Sequence, residues 1–388
     1  SMSERGLSID PATFKDEKEA RVIRTALRCG VKLPKEDVQK LATKLMRSRN
    51  IEEAMLGLEI AAASDIEPIR IEAAKKTETL ITNLDDPVAA LLSRRMAAML
   101  HLDEIPQTVA QWRIWFTSQR EKVTLPPPSV WTDDMPRRWS LVAEMDDEAF
   151  TRLQDYLDFL KQRDLDLVIV MDATASMIPM VNQARAGVDS LILFLSDISR
   201  EMRLAFVAYR DHDNAPVWDG HPFTTDITSI RKYLFDLRVT GGPDYPEAGL
   251  QGLVACGELK WNKKATRQIV LVGDAPPHEQ DVYRVRALLD SMRESGITVH
   301  AVHVPMVYPR GTVEHMPPDQ AEEKNKWLNE YNTSTGEMFA SIAETGGGQK
   351  TEMTNSQDLV PAIMHFTIEE GWWPVFDEFY VRYLELCR

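Results

Sequence analysis

The sequence predicts two domains of different class: an all-α helical-repeat or bundle domain, and after it an α/β domain with a doubly wound, mostly parallel sheet. The length of 388 residues exceeds what one compact core usually holds. From about residue 14 to residue 123 one helix-like apolar period follows another, whereas from Leu165 onward short apolar segments alternate with helical ones. An alternation of short apolar segments with helical ones is typical of parallel strands that are covered by helices on both faces.

Individual elements of the α/β domain follow from the apolar pattern. The predicted strands are 167–171, 204–208, 269–272 and 298–304. The predicted helices are 178–197, 229–237, 246–259, 282–295 and, inside a long polar interruption at 303–336, 320–331. Three glycines at 346–348 predict a turn before a short strand that ends near Met353. The aromatic C-terminal tail fits either a last edge strand or a helix.

We predict a helical domain at 1–123, a proline-rich linker at 124–145, the α/β domain at 146–360 and an aromatic extension at 361–388. The three prolines at 126–128 exclude a helix or a central strand there. Two N-terminal helices share an acidic start, an early proline and a later alanine pair, which resembles HEAT-type helical repeats. A plain helical bundle explains the pattern equally well, and both suggest a contact surface.

Composition narrows the class of protein. The hydrophobic fraction of 44% and the charged fraction of 27% are ordinary for a globular protein. The net charge of −15 argues against a general nucleic-acid-binding protein and against binding to an anionic membrane surface. The three cysteines, Cys29, Cys256 and Cys387, form no CxxC pair, so neither a disulfide framework nor a zinc site is expected. The sequence has no apolar run long enough to span a bilayer and no signal-peptide pattern, so we expect a cytoplasmic protein. A signal peptide upstream of this sequence is the alternative.

The stretch LDLVIVMDATASM contains the first candidate site residues. Its apolar run reads as a strand buried on both faces, and this strand ends on Asp172, followed by Thr174 and Ser176. A carboxylate at the end of a buried strand is unfavourable unless something there needs its charge. The carboxyl edge of a parallel sheet is where α/β proteins bind ligands, so we expect three oxygen ligands for a hard cation. The alternative is that these side chains cap the following helix.

Two further loops are expected at the same edge of the sheet. In VTGGPDYPEAG, Asp244 precedes a helix begun near Pro246, and in VLVGDAPPH, Asp274 ends a buried strand. Asp244 is also explained by ordinary turn chemistry before a proline. A ligand set of carboxylates and hydroxyls, without Cys or His, suits Mg²⁺ or Mn²⁺, and Ca²⁺ less well.

These motifs, taken in order, resemble a von Willebrand factor type A (VWA) domain with a metal-ion-dependent adhesion site. Asp172, Thr174 and Ser176 match the first-loop pattern DxSxS, with Thr in its permitted middle place, and Asp274 matches the third-loop aspartate. The segments at 207–213 and 241–248 resemble the bacterial branch of the family. The chain departs from the family at Pro243, where a threonine is usual. Thr240 or Asp244 could replace that ligand, and Asp244 is the preferred candidate.

The resemblance implies a non-catalytic protein-interaction module. In this family the ligand completes the metal's coordination shell with an acidic side chain, so the expected partner is a protein that supplies Asp or Glu. Bacterial relatives often accompany MoxR-type AAA+ ATPases, which implies a scaffold or adaptor and a possible ATPase partner. The polar group Asp211, His212 and Asp213 is either a partner-contact loop or an ordinary solvated loop, and His278 could orient the Asp274 loop.

Two alternative functions belong to other classes. A metal-dependent phosphohydrolase of the haloacid-dehalogenase type would also place an aspartate after a buried strand, but it needs a second acid where this chain has Thr174. The sequence also lacks the GxSxG motif that would indicate a hydrolase with a serine nucleophile. An RNA-binding protein similar to Ro ribonucleoproteins would combine a helical array with a VWA domain, but the acidic balance argues against it.

Overall fold

The computed structural model describes residues 17–28, 32–84, 86–102, 104–119, 123–128, 141, 144–241, 246–308, 312 and 315–387. The chain divides into two compact units. One unit comprises Ser1–Gln154 and Pro374–Arg388, and the other comprises Asp155–Trp373. The domain boundaries drawn from the sequence at 123, 145 and 360 stay predictions.

The first unit is helical, as the sequence predicts. The described helices of its N-terminal part are α1 (Glu17–Arg28), α2 (Lys35–Met46), α3 (Ile51–Ala63), α4 (Glu67–Thr82), α5 (Asp86–Leu100) and α6 (Val109–Ser118). The side chain of Thr108 caps α6 by accepting a hydrogen bond from the backbone of Gln111. Trp112 of α6 is fully buried, and its indole nitrogen donates to Ser93 Oγ at 2.8 Å. α2 packs on α3 and α3 on α4, whereas α1 packs on α3 and α6 packs more on α4 than on α5. The HEAT-like character of these helices stays a prediction.

A buried ion cluster lies within this helical core. Glu59 on α3 is 4% exposed, and its carboxylate lies 2.6 Å from Arg24 Nη1 and 2.9 Å from Arg95 Nε. Burial alone would raise the pKa of Glu59, but the two guanidinium groups lower it well below its ordinary range. The cluster therefore joins α1, α3 and α5 through one ionised carboxylate.

The described start of the predicted linker packs on this unit. Leu125 is buried, and the Arg70 guanidinium donates to the carbonyl oxygens of Leu125 and Pro126. Most of the remaining linker prediction, at 129–140, 142 and 143, lies outside the described residues.

The second unit contains a six-stranded sheet with the order β3-β2-β1-β4-β5-β6. Its elements, together with the helix that leads into it and the helix that follows it, are α7 (Asp147–Gln162), β1 (Asp164–Asp172), α8 (Ile178–Asp197), β2 (Glu201–Tyr209), β3 (Trp218–Thr224), α9 (Ile227–Asp236), α10 (Gly249–Gly257), β4 (Thr266–Gly273), α11 (Val282–Glu294), β5 (Ile297–His303), α12 (Pro318–Thr345), β6 (Gly347–Glu352), α13 (Leu359–Thr367) and α14 (Trp373–Cys387). Every strand pair is parallel except β2 with β3. The predicted fold class is confirmed.

The central strand explains the apolar run in the sequence. β1 pairs with β2 on one side and with β4 on the other, and eight of its nine residues are buried. Helices cover both faces of such a strand, so polar alternation is absent. The chain leaves β1 towards β2 on one side, and β4 stands on the other. This is the switch point at which α/β sheets form ligand sites.

Apart from shifts of a few residues at element ends, the structure differs from the sequence prediction in the following elements. β3 is an antiparallel edge strand that the sequence analysis missed, because its residues are polar and only partly buried. The helix predicted at 320–331 is wrong at its C-terminal end, since α12 continues to Thr345. The C-terminal tail is the helix α14, so the edge-strand alternative is wrong.

No helix in the described part of the chain combines the length and the apolar character needed to cross a membrane.

Candidate functional site

The first loop begins where β1 ends. Asp172 is fully buried, and its Oδ1 accepts hydrogen bonds from the backbone nitrogen and from the hydroxyl of Thr174, both at 2.7 Å. The Thr174 hydroxyl lies 3.3 Å from the hydroxyl of Ser176, which is exposed at the edge. Asp172 Oδ1 is thus fixed by its own loop, whereas the buried Oδ2 has no hydrogen-bond partner.

Asp274 lies directly after β4, the neighbour of β1 in the sheet. The parallel register pairs Met171 with Val272, so the two strands end side by side. Asp274 is 3% exposed, and its Oδ1 is also buried without a hydrogen-bond partner. Burial and the nearby Asp274 carboxylate raise the pKa of Asp172 to about 7, and burial raises the pKa of Asp274. Two buried like charges meet here.

The lack of a side chain at Gly273 permits the end of β4 to lie close to Asp172 and Tyr209. A Cβ at this position would lie 2.6 Å from the Tyr209 hydroxyl and 3.6 Å from Cβ of Asp172. Tyr209 ends β2 and pairs in register with Asp172. Burial raises the pKa of Tyr209, and the carboxylates of Asp172 and Asp274 raise it further. A neutral phenol therefore packs beside the two carboxylates.

The second loop is tied to the first by backbone hydrogen bonds. The nitrogen of Thr240 donates to the carbonyl of Ala173 at 3.0 Å, and the nitrogen of Ala175 donates to the carbonyl of Gly241 at 3.3 Å. Gly241 has φ = 88°, and the side chain of Asn214 occupies the space that a Cβ there would need. Only glycine meets both requirements. The structure therefore brings the described start of the second loop, Thr240 and Gly241, against the first loop.

The structure describes only one of the two candidate ligands of the second loop. Asp244, the preferred one, lies with residues 242, 243 and 245 outside the described residues. Thr240 is placed beside the first loop by its backbone, and its residue is exposed. The choice between them stays a prediction.

Glu247 is a buried acid at this edge that the sequence analysis did not single out. It is 1% exposed, and its backbone nitrogen donates to the carbonyl of Pro276 in the third loop at 3.1 Å. A parallel bridge to Pro277 fixes the same segment. Its charge raises the pKa of Tyr209, after the effect of burial, so it lies in the same electrostatic environment. The sequence feature that could have identified Glu247 is its position as an acid between Pro246 and the apolar helix α10.

A pair of histidines joins the loops around the site. His278 Nε2 lies 2.7 Å from Oδ1 of the buried Asp211, in the loop after β2. His212 Nε2 lies 3.7 Å from Asp281 Oδ2, and the two imidazole rings are 4.6 Å apart. The loop after β2 is thereby fastened to the segment that follows Asp274.

The donor chemistry fits a hard cation. Asp172 and Asp274 each present a buried carboxylate oxygen without a partner, and the hydroxyls of Thr174 and Ser176 lie beside them. Oxygen-only donors of this kind suit Mg²⁺ or Mn²⁺. Within the described residues, which do not include Asp244, no three His, Cys, Asp or Glu side chains form a metal-binding group. A bound cation would supply positive charge and a coordination position open to another carboxylate.

The fold and the edge site define the class of protein. Residues 166–355 match the von Willebrand factor A domain family, and this part of the chain belongs to it. A VWA domain suggests a protein-interaction module.

Two curated proteins are similar in sequence over a short stretch. The alpha-protein kinase vwkA of Dictyostelium discoideum is 27% identical over 117 residues, which is 29% of this chain and 19% of that protein. The putative ariadne-like RING finger protein R811 of Acanthamoeba polyphaga mimivirus is 26% identical over 116 residues, which is 30% of this chain and 11% of that protein. The match thus spans a fifth or less of either relative.

Solved structures are similar over about half of the chain. One is an aerotolerance-related membrane protein from Bacteroides fragilis NCTC 9343, with 18% identity, 52% of this chain and 98% of that chain covered, and a TM-score of 0.36. Another is the SpRpn10 VWA domain, with 13% identity, 51% of this chain and 94% of that chain covered, and a TM-score of 0.34.

Proposed function

We propose that the VWA domain is a non-catalytic module that binds an acidic side chain of a partner protein through Mg²⁺ or Mn²⁺. The proposed ligands are Asp172, Thr174, Ser176 and Asp274, with Asp244 as the second-loop ligand. The observation that carries the proposal is the pair of adjacent buried carboxylates, each with an oxygen that has no hydrogen-bond partner. Such a pair is unfavourable in a folded protein unless a cation offsets its charge.

The sign of the local charge explains why the metal would matter for the partner. Asp172, Asp274 and Glu247 place three acidic side chains at this edge. A partner carboxylate would be repelled by them, whereas a bound divalent cation reverses the sign of the interaction. Ser176 is exposed, so a partner group can reach the first loop from solvent.

The wider role is that of a scaffold or adaptor in the cytoplasm. The helical unit provides a second surface, and the bacterial-type motifs at 207–213 and 241–248 support a MoxR-type AAA+ ATPase as a candidate partner. Mixing the purified chain with such an ATPase tests this candidate: the complex should form in Mg²⁺ and dissociate in EDTA. A complex that is equally stable in EDTA would contradict it.

Metal binding is tested by calorimetric titration of Mg²⁺ and Mn²⁺ into the wild type, Asp172→Ala and the matched control Asp213→Ala. Asp213 is an exposed acid in the neighbouring loop. We expect binding heat and thermal stabilisation for the wild type and the control, and neither for Asp172→Ala. Circular dichroism checks that Asp172→Ala is folded, and Asp274→Asn provides a second, more conservative variant. Equal binding heat in all four proteins would refute the proposal.

Catalysis is tested with p-nitrophenyl phosphate in the presence of Mg²⁺. We expect no hydrolysis above background. Turnover that disappears in Asp172→Ala would instead support the phosphohydrolase alternative.

A further inference from the structure

A surface of four apolar and aromatic side chains, exposed at Val307 and Trp327 and partly buried at Tyr308 and Tyr331, lies beside the third loop of the site. We call it the aromatic shelf, and it consists of Val307, Tyr308, Trp327 and Tyr331. The Tyr331 hydroxyl donates to the backbone carbonyl of Asp274 at 3.3 Å, which ties α12 to the loop of the candidate ligand. Trp327 stacks on Tyr331 with 5.3 Å between ring centroids and 17° between planes. The shelf thus extends outward from Asp274 along one face of α12.

The shelf is held in place by specific contacts. The side chain of Asn332 accepts from the backbone nitrogen of Met306 at 2.9 Å and donates to its carbonyl at 3.0 Å. The Tyr308 hydroxyl donates to the carbonyl of Lys324 at 3.3 Å, and Lys324 Nζ lies 5.5 Å from the centre of the Tyr308 ring. The segment before α12 is therefore fastened to the helix at two points, so a partner would meet an ordered surface.

Two side chains of the shelf are exposed. Val307 is 78% exposed and Trp327 is 46% exposed, although an indole buries more apolar area than any other side chain when it packs. Tryptophan and tyrosine are enriched among the residues that dominate the binding energy of protein interfaces. An apolar contact of this kind, next to a polar site, indicates a surface that a partner covers.

The charges around the shelf indicate that its contribution to partner binding is apolar. Glu323 and Lys324 precede Trp327 by about one helical turn and Glu330 follows it by about one, so the charges near Trp327 are of both signs. A partner that brings a carboxylate to a chain of net charge −15 meets general repulsion away from the metal. Its further affinity must therefore come from apolar burial, which the shelf offers beside the site.

The short distance between Trp327 and the Asp274 loop limits how far apart a partner's apolar side chain and carboxylate can be. Tyr331 touches the Asp274 backbone, and Trp327 lies one helical turn farther out, about 5–6 Å along α12. An extended peptide advances about 3.3–3.6 Å per residue. A side chain on the shelf and a carboxylate at the loops would therefore be close neighbours in one peptide segment.

We propose that the aromatic shelf is the second contact for the partner whose carboxylate the metal site takes. The partner segment carries a large apolar side chain within about three residues of its Asp or Glu. This inference rests on the proposed function and adds to it the recognition motif of the partner.

The test uses a random dodecapeptide display library, selected on the full chain in Mg²⁺ and eluted with EDTA. The selected peptides are then measured against the wild type, Trp327→Ala and the control Phe159→Ala. Phe159 is 54% exposed on α7, which leads into the amino end of β1 and so lies at the opposite edge of the sheet. Mg²⁺ affinity is measured in parallel by calorimetry.

We expect Mg²⁺-dependent peptides that pair an acid with a nearby aromatic or aliphatic residue. Trp327→Ala should weaken them at least tenfold and leave Mg²⁺ affinity unchanged, and Phe159→Ala should bind them like the wild type. Peptides with an acid alone that bind Trp327→Ala equally well would overturn the shelf and leave the metal-bridged function intact. Absence of any Mg²⁺-dependent peptide would overturn both. A dimer in light scattering that Trp327→Ala converts to a monomer would overturn the shelf, since a second copy would then occupy it.

Discussion

The imidazole of His278 and the buried carboxylate of Asp211 are 2.7 Å apart, and this contact joins the segment after β4 to the loop after β2. Asn214, three residues after Asp211, packs against Gly241 of the second loop. The loop after β2 supplies no proposed ligand, yet it touches both neighbours of the first loop. It therefore acts as a brace for the edge of the sheet on which the proposed ligands lie.

Removing this brace should weaken metal binding without removing a ligand. We expect His278→Ala to lower Mg²⁺ affinity roughly tenfold, as loss of groups that orient ligands commonly does. His221→Ala is the matched control, because His221 lies on the edge strand β3 and takes no part in this contact. Calorimetry measures both affinities. If both variants bind Mg²⁺ like the wild type, the contact has no positioning role.

Neutralising Asp172 should stabilise the metal-free domain and abolish its response to metal. The folded-state pKa of Asp172 lies above its ordinary value of 3.8, so at neutral or higher pH the ionised carboxylate opposes folding. In Asp172→Asn the amide oxygen can still accept from Thr174. We expect a gain on the order of 1–3 kcal/mol in EDTA at about pH 8 and no thermal shift with Mg²⁺. Lower stability of Asp172→Asn than of the wild type in EDTA would contradict this account.

His300 should make the stability of the α/β unit depend on pH. Its ring is 5% exposed and stacks on Phe366, and its Nδ1 accepts from the backbone nitrogen of Gln349 at 3.1 Å. Burial lowers the pKa of His300 from 6.5 to about 4. Between these values the unfolded chain binds a proton that the folded chain does not, so stability falls as the pH drops below 6.5.

The expected loss from His300 between about pH 7.5 and pH 5 is on the order of 2 kcal/mol. His300→Gln should lose less stability over that interval, measured by urea unfolding at each pH. His221→Gln on the edge strand β3 is the control and should keep the full loss. A pH profile of His300→Gln that coincides with the wild type would exclude this histidine as the source.

The buried ion cluster of the helical unit should be sensitive to the loss of one charge. Glu59→Gln leaves the buried guanidinium group of Arg24 and the partly buried one of Arg95 facing an amide, and we expect a destabilisation of about 3–5 kcal/mol. Glu72→Gln is the control, since its ion pairs with Arg47 and Lys76 are long and partly exposed, at 3.9 and 3.8 Å. Urea unfolding measures both. Equal midpoints for the two variants would show that the cluster adds little.

Gly273 allows a double-mutant test of the packing under the site. The added Cβ of Gly273→Ala would meet the Tyr209 hydroxyl at 2.6 Å, so we expect a destabilisation of about 1–3 kcal/mol. Combined with Tyr209→Phe, which removes that hydroxyl, the cost of the added methyl should shrink. Thermal unfolding of the two single variants and the double variant gives the coupling. Strict additivity would mean that Tyr209 does not restrict this glycine.

The sequence predicted those features that depend on local chain chemistry. The apolar run before Asp172 and the one before Asp274 are strands because burial on both faces removes polar alternation, and parallel pairing brings their ends together. β3 was missed because an edge strand keeps polar side chains. Glu247 was missed because its burial depends on contacts with the third loop, which no local pattern encodes.

The length of α12 was misjudged for a similar reason. The segment up to Gly336 was predicted as a polar interruption with a helix only at 320–331, but Gly336 and Phe339 pack against His303 of β5, and this burial continues the helix. Tertiary packing overrode the weak helical preference of the segment.

The unequal burial of α12 along its length has a consequence for how the helix tolerates substitution. From Thr335 onward the helix contributes to the core, whereas most residues between Pro318 and Glu330 are exposed. Substitutions in the outer turns should therefore cost little folding free energy, while those in the inner turns remove core contacts. The outer turns can thus be redesigned for a new binding preference while the sheet beneath them keeps its stability.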